Sequence, residues 1–236
     1  MAAIRAVIFD LDGCLVDSEV MSLETLAAEM SAEGMPTTAD TLRREVLGVS
    51  IQSIVDRLAR SIARPVSPDF IMRFEDRLLA RYPGELRLIP GVPALLDDLA
   101  ARGIQVAIAT GGSLRRLAAT LEISGLAARF QGRAFSADQV ARGKPAPDLF
   151  QLAAKGLDLP PAACAVMEDA PHGITGAVAA GMRAVGFTGG SHLAGIRHEQ
   201  ARRLSAVGAA CVLSDLDGMA TALLAPRGPA PSAPSP

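Results

Sequence analysis

The chain has 236 residues, a formal net charge of −2, and an apolar half in which only 3% of all residues are aromatic and none is Trp. That length and apolar content suffice for one α/β domain, or for a core with a smaller insert. The weak negative charge supplies no attraction for nucleic acid or an anionic membrane, and the scarcity of rings leaves no platform for stacking bases.

No apolar stretch reaches the ~18 residues of a membrane span. The opening residues, MAAIRAVIFD, lack the apolar stretch and cleavage site of a signal peptide. A cytoplasmic protein is expected, either a monomer or a weak homo-oligomer. Cys14, Cys164 and Cys211 are odd in number and widely spaced, which suggests neither a disulfide framework nor a zinc site. Cys164 and Cys211 fall in apolar runs and read as core residues. Cys14 sits beside the candidate site, where a reactive thiol is the alternative to a packing role.

In chain order, short apolar runs recur at Ile4–Phe9, Val106–Ala109, Cys164–Met167, Arg183–Phe187 and Ala210–Leu213. Each is bounded by Gly, Asp or Ser. Continuous rather than alternating apolarity fits strands covered on both faces of a parallel sheet. Between them, Val92–Ala101, Leu114–Glu122, Pro147–Leu157 and Gly173–Ala180 carry helical spacing. Strand alternating with helix predicts an α/β fold, a Rossmann-like doubly wound parallel sheet. Residues 17–88 interrupt the alternation with helical spacing alone, at Val20–Ala32, Ala39–Leu47, Ile51–Ile62 and Asp69–Tyr82. The expected organisation is a core over 1–16 and 89–225, an inserted all-helical cap domain over 17–88, and a disordered Pro-, Ala- and Ser-rich tail over 226–236.

The chemistry-bearing residues fall at strand ends, where open α/β sheets gather ligands. The first run ends in Phe9-Asp10-Leu11-Asp12-Gly13. A two-residue spacing in extended chain turns both carboxylates to one side, where like charges need a cation or a proton between them. Such a pair suits phosphoryl transfer, with one carboxylate attacking and the other moving the leaving group's proton; a simple turn is the alternative. Thr110 is followed by Gly111, Gly112 and Ser113 before a helix, an arrangement that lets N–H groups approach an anion, although Ser113 serves equally as a helix cap. Lys144 lies in a proline-stiffened loop, GKPAPD, and is one of two lysines in the chain. It reads either as a phosphate-binding point charge or as a solvated loop residue. Glu168 and Asp169 end another apolar run, where adjacent acids are costly unless paired or metal-bound. Asp169 suits Mg²⁺, with Glu168 ligating directly or through water, while a helix cap is the alternative for either acid alone.

Together, FDLDGCLVDSE, AIATGGS, GKPAPDLF and MEDAPHGITGAVAAGM resemble the four signature motifs of the haloacid dehalogenase superfamily of hydrolases, over Ile4 to about Phe187. A helical insert after the first motif resembles that superfamily's branch containing beta-phosphoglucomutase and phosphoglycolate phosphatase. The resemblance implies a mobile cap, Mg²⁺ dependence, and Asp10 as nucleophile with Asp12 as general acid/base. It further implies phosphate binding by Thr110, Gly111 and Lys144. The metal would be held by Asp10, the backbone carbonyl of Asp12, Asp169 and Glu168.

Departures from relatives narrow the choice. Haloalkanoate dehalogenases usually lack the second aspartate, which is present here as Asp12. The phosphonate hydrolases need a cap lysine, and residues 17–87 contain none. Beta-phosphoglucomutase carries a histidine where this chain has Ser22, and an arginine after Gly-Val-Ser where Gly48-Val49-Ser50 is followed by Ile51. The expected function is therefore Mg²⁺-dependent hydrolysis of small phosphorylated metabolites, with a phosphomutase as the alternative and a non-catalytic binding protein as the lesser one. Arg43 and Arg44, before Leu47–Ser50, are candidates for contacting the substrate. His172 is expected near the cleft or in a loop without a role, and His192 and His198 on the surface.

Overall fold

The computed structural model describes residues 3–45 and 51–226. The expected turn at Leu47–Ser50, and the tail from residue 227 onward, lie outside the described residues. Among the described residues, six parallel strands form one sheet: β1 (Ala6–Phe9), β2 (Gln105–Thr110), β3 (Ala134–Ser136), β4 (Cys164–Glu168), β5 (Arg183–Phe187) and β6 (Val212–Leu213). Their order is β3-β2-β1-β4-β5-β6. The order reverses at β1, which pairs β2 on one side and β4 on the other, so a crevice opens beyond its carboxyl end.

The continuous apolar runs follow from this topology. In β1, Val7 and Phe9 face one core cluster while Ala6 and Ile8 face the other, and all four are fully buried. The helices α5 (Val92–Ala101), α6 (Leu114–Ile123) and α10 (Met219–Leu224) cover the first face. The second face is covered by α7 (Asp148–Gly156), α8 (Pro171–Ala179) and α9 (Arg197–Ala206). The sequence expectation holds five of these strands. The three residues of β3 are too short and too polar in setting to announce a strand, and α9 and α10 lack a clear apolar stripe.

Between β1 and α5 the chain forms α1 (Glu19–Ala32), α2 (Ala39–Glu45), α3 (Ile51–Ile62) and α4 (Phe70–Glu85), the last running past the expected Tyr82 through Pro83. The outgoing and returning segments lie side by side: Asp17 N–H donates to Arg87 O at 2.9 Å and Ile89 N–H to Leu15 O at 2.9 Å. No helix among the described residues is long and apolar enough to cross a membrane.

A buried ion network joins α1 to α4. Glu29, fully buried, faces Arg73 at 3.2 Å and Arg77 at 2.5 Å, while Arg73 also reaches Glu33 at 2.7 Å. Hydrogen bonds from Ser67 and the Arg73 guanidinium lower the Glu33 carboxyl to about 2. A carboxyl held below its unfolded value of 4.5 stabilises the fold fully above that pH, and the contribution is lost as pH falls towards 2. The stability gap between wild type and Glu33→Gln, read by urea unfolding, is therefore expected to be largest above pH 5 and to shrink steadily below pH 4.5. A gap that does not change over that range would remove Glu33 from the acid sensitivity of the fold.

Candidate active site

Strand ends, and the loop that follows β3, converge on one cleft. Its volume is about 470 Å³, and it is lined by Asp10, Asp12, Thr110, Gly111, Lys144, Glu168 and Asp169 among others. The four acids, Thr110 with the residues after it, and Lys144 are thus brought together, while Cys14 and His172, from the same motifs, are not among the lining residues. The opposite wall comes from the inserted helices, with Leu23, Leu26, Ile54, Ile71 and Phe74 as its apolar part and Glu19, Ser22, Gln52 and Glu75 as its polar part.

Lys144 holds the floor. Its Nζ donates to Asp10 Oδ1 at 2.6 Å and to Glu168 Oε1 at 2.5 Å, and lies 5.3 Å from the ring centre of Phe150. Burial raises Asp10 well above the ordinary carboxylate range; Lys144 opposes that, and Glu168, Asp169 and Asp12 reinforce it. Burial also raises Glu168, against the pull of Lys144. For Lys144, burial favours loss of the proton, but the attraction of Asp10 and Glu168 prevails and its pKa is raised. The ammonium therefore stays charged between the two acids. Glu168 commits its second oxygen as well, accepting the Ala170 N–H at 2.8 Å, so both of its oxygens have protein donors.

Asp12 is held on the other side of the cleft. Ser18 Oγ donates to its Oδ1 at 2.5 Å, Arg116 lies 3.0 Å from the same oxygen, and Thr110 Oγ1 donates to Oδ2 at 3.4 Å. Arg116 was not legible as a site residue, because an arginine in the first turn of a helix usually faces water. Here α6 starts at the cleft: Ser113 caps it by accepting the Arg116 N–H at 3.1 Å, and Gly112 N–H donates to Thr110 Oγ1 at 3.0 Å. Glu19, also missed, is pushed up to about 7 by burial and by Asp12.

The donor set suits a divalent cation. One atom each of Asp10, Asp169 and Cys14 lies within 4.8 Å of the others and all three residues are buried; the two carboxylates are the ligands such a cation would take, since burial keeps the Cys14 thiol protonated, and Asp169 Oδ2 faces His192 Nε2 at 3.1 Å. Carboxylates crowded this way repel one another, and a cation of the oxygen-seeking kind relieves that repulsion. Two glycines make room. A Cβ on Gly13, whose φ is +76°, would come within 2.1 Å of Asp169 Oδ2, and one on Gly173 within 1.7 Å of Glu168 Oε1.

Two expectations change. His192 is not a surface residue: it is 1% exposed, with Nε2 lying 3.1 Å from Asp169 Oδ2. The Gly189-Gly190 turn after β5 folds the ring inward, a reversal that the polar sequence GGSH does not reveal. Burial alone would lower its pKa, but Asp169, Glu19 and Asp17 raise it. Arg43 does not face the cleft but donates to the carbonyls of His192 and Ala194, at 3.3 and 3.2 Å, while Arg44 is exposed and lies 3.8 Å from Asp40. His198 is exposed as expected, His172 is half-buried at the start of α8, Cys164 is fully buried and Cys211 is half-buried.

A fully parallel doubly wound core, carrying acids at the ends of β1 and β4 around a buried lysine, defines a hydrolase of the phosphoryl-transfer type. A family model, haloacid dehalogenase-like hydrolase, matches residues 4–181, and the chain belongs to that family. Hexitol phosphatase A of Escherichia coli is 33% identical over 185 residues, which cover 77% of this chain and 82% of the relative. A conserved haloacid dehalogenase-like protein of unknown function from Agrobacterium tumefaciens superposes with a TM-score of 0.77 at 30% identity, covering 92% of this chain and 96% of its own. CbbY from Rhodobacter sphaeroides, in complex with xylulose-(1,5)bisphosphate, gives 0.76 at 27% identity and covers 93% and 99% of the two chains. Within the family the chain is a phosphatase.

Burial raises the Cys14 thiol well above its usual value, and the neighbouring Asp169 and Asp10 raise it further. In the folded protein at neutral pH, iodoacetamide is expected to modify half-buried Cys211 while Cys14 stays unmodified, as read by peptide mass spectrometry. Rapid labelling of Cys14 would show that its thiol is ionised and reachable.

Proposed function

We propose that this protein hydrolyses phosphate monoesters of small metabolites, in the class of sugar, polyol or sugar-acid phosphates, through an aspartyl-phosphate on Asp10. The observation that carries this reading is the placement of Asp10 and Asp12 in one cleft, the first against the Lys144 ammonium and the second held apart by Ser18 and Arg116. One carboxylate is thus set to attack and the other to move protons. The names and complexes of the relatives, a hexitol phosphatase and a protein holding a sugar bisphosphate, agree with the substrate class. We take residues 17–88 as a cap over a core made of 1–16 and 89–225. We place the enzyme in the cytoplasm, as a monomer or weak homo-oligomer that needs neither nucleic acid nor membrane.

In this reading Lys144, the Thr110 hydroxyl and the Gly111 backbone orient the phosphoryl oxygens. Asp10 forms a bond to phosphorus as the ester oxygen leaves, and Asp12 gives that oxygen a proton. Water then attacks phosphorus, Asp12 takes its proton, and the bond to Asp10 breaks to release inorganic phosphate. Mg²⁺, held by Asp10, Asp169 and the Asp12 carbonyl, would supply the positive charge that offsets the phosphate. Glu168 serves more directly through Lys144, to which one of its oxygens is committed. Closure of the inserted helices would exclude bulk water during the first half of the reaction.

A phosphomutase shares this chemistry but must hold a second sugar hydroxyl as acceptor. Ser22 and Ile51, at the two places where the mutase carries histidine and arginine, both line the cleft. Neither supplies the charge of the residue it stands in for, which favours water as the acceptor.

The test is phosphate release from a panel of metabolite phosphates, with Mg²⁺ and with chelator, beside a folded Asp10→Asn variant. Release is expected to need the metal and to fall below about a thousandth of wild type in the variant. Retained turnover in folded Asp10→Asn would overturn the nucleophile. No release on any compound, together with interconversion of a sugar phosphate, would establish the mutase instead.

A further inference from the structure

The segment Gly189–Ala194, between β5 and α9, makes three separate attachments. Its Ser191 donates to Asp17 Oδ1 twice, from the backbone N–H at 3.1 Å and from Oγ at 2.8 Å. Asp17 is where the chain leaves the core for the inserted helices, its own N–H bonded to Arg87 O at 2.9 Å. From α2 in that insert, Arg43 donates to the carbonyls of His192 and Ala194, at 3.3 and 3.2 Å, while its other terminal nitrogen is tied to Asp40 at 2.6 Å. The third attachment is the His192 ring, whose Nε2 lies 3.1 Å from Asp169 Oδ2.

The His192 side chain is 0% exposed and that of Asp169 6%. Among the described residues, neither His192 nitrogen nor Asp169 Oδ2 makes a well-aligned hydrogen bond. Buried polar atoms left so cost free energy, and the 3.1 Å approach of Nε2 to Oδ2 is the contact that offsets it. The backbone is shaped around the ring: a Cβ on Gly13 or Gly190 would lie 2.7 or 2.6 Å from His192 Cε1. On the far side, Gln200 Nε2 donates to Asp169 O at 2.6 Å, so main chain and side chain of this acid are approached from two directions.

We propose that His192 is the positioning residue of Asp169, orienting its carboxylate for the cation, and that Arg43 makes this orientation depend on where the inserted helices sit. The proposal rests on the reading of Asp169 as a metal ligand. Its physical basis is general: a ligating carboxylate loses affinity when the outer group orienting it is removed, typically by 10–100-fold. Arg43 acts one step further out, through the backbone that carries the ring, so its effect is smaller.

The experiment measures Mn²⁺ binding to the full chain from the loss of the free-ion EPR signal, and Mg²⁺ binding by displacement. The variants are Asp169→Asn, His192→Leu, His192→Gln and Arg43→Met, each first shown to unfold cooperatively without metal. Affinity in His192→Leu is expected to fall about tenfold or more. His192→Gln, which keeps a donor, should recover most of the loss. Arg43→Met should weaken binding roughly two- to tenfold. Wild-type affinity in His192→Leu, with binding lost in Asp169→Asn, would overturn the role of His192. Equal losses in the Leu and Gln variants would also overturn it, since the ring would then act by packing alone. Unchanged affinity in Arg43→Met would overturn the link to the insert. Wild-type affinity in Asp169→Asn would instead defeat the metal-ligand reading beneath the proposal.

Discussion

Lys144 placed between Asp10 and Glu168 is the interaction on which the rest of the cleft depends. Three buried acids meet at the ends of neighbouring strands, and without a cation each would raise the others' affinity for protons. An ammonium is compact enough to enter such a space, where the planar fork of a guanidinium would need a wider slot. The Phe150 ring beneath it adds the attraction of its negative face. Two glycines leave room for that arrangement. Gly173 leaves the volume that Glu168 fills, and Gly13 leaves the volume taken by Asp169.

Topology brings these groups to one place. Because the strand order reverses at β1, the chain diverges on either side of Asp10, and the loops after β2 and β4 flank the space between. The inserted helices close the remaining side. Their contribution is mostly apolar, so the cleft has a charged floor and a greasy wall. In the proposed reading, the charged floor is the part suited to a phosphoryl group and the apolar wall the part suited to what it is attached to.

Much of this was legible because motif residues announce themselves by charge in apolar surroundings. Asp10 after an apolar run, and Glu168-Asp169 after another, stand out for that reason, although a turn or a helix cap accounts for each acid taken alone. The inserted helices were legible from spacing alone, and their ends differ from expectation by a few residues. The hidden parts share one physical cause, which is that they are polar residues in polar stretches drawn wholly or partly out of solvent by tertiary contacts. Arg116, Glu19 and His192 look like solvated positions until α6, α1 and the Gly189-Gly190 turn fold them inward. Gln200 is similar, sitting on a helix whose other residues are mainly exposed. Periodicity cannot report a contact that depends on where a separate segment, distant in sequence, comes to rest.

The preference for arginine elsewhere leaves one more trace. The sequence holds two lysines, and Lys144 is locked beneath the cleft with a side chain 10% exposed. Lys155, on the outer face of α7, is exposed. Nearly all of the positive charge that meets solvent is therefore guanidinium, which acylating reagents and carbonyl compounds attack far less readily than a primary amine. Amine chemistry, whether a cellular acyl donor or a coupling reagent on a sensor chip, finds a single side chain to address, on the helix behind the sheet rather than at the mouth of the cleft. A molecule tethered through that side chain would present its open cleft away from the support.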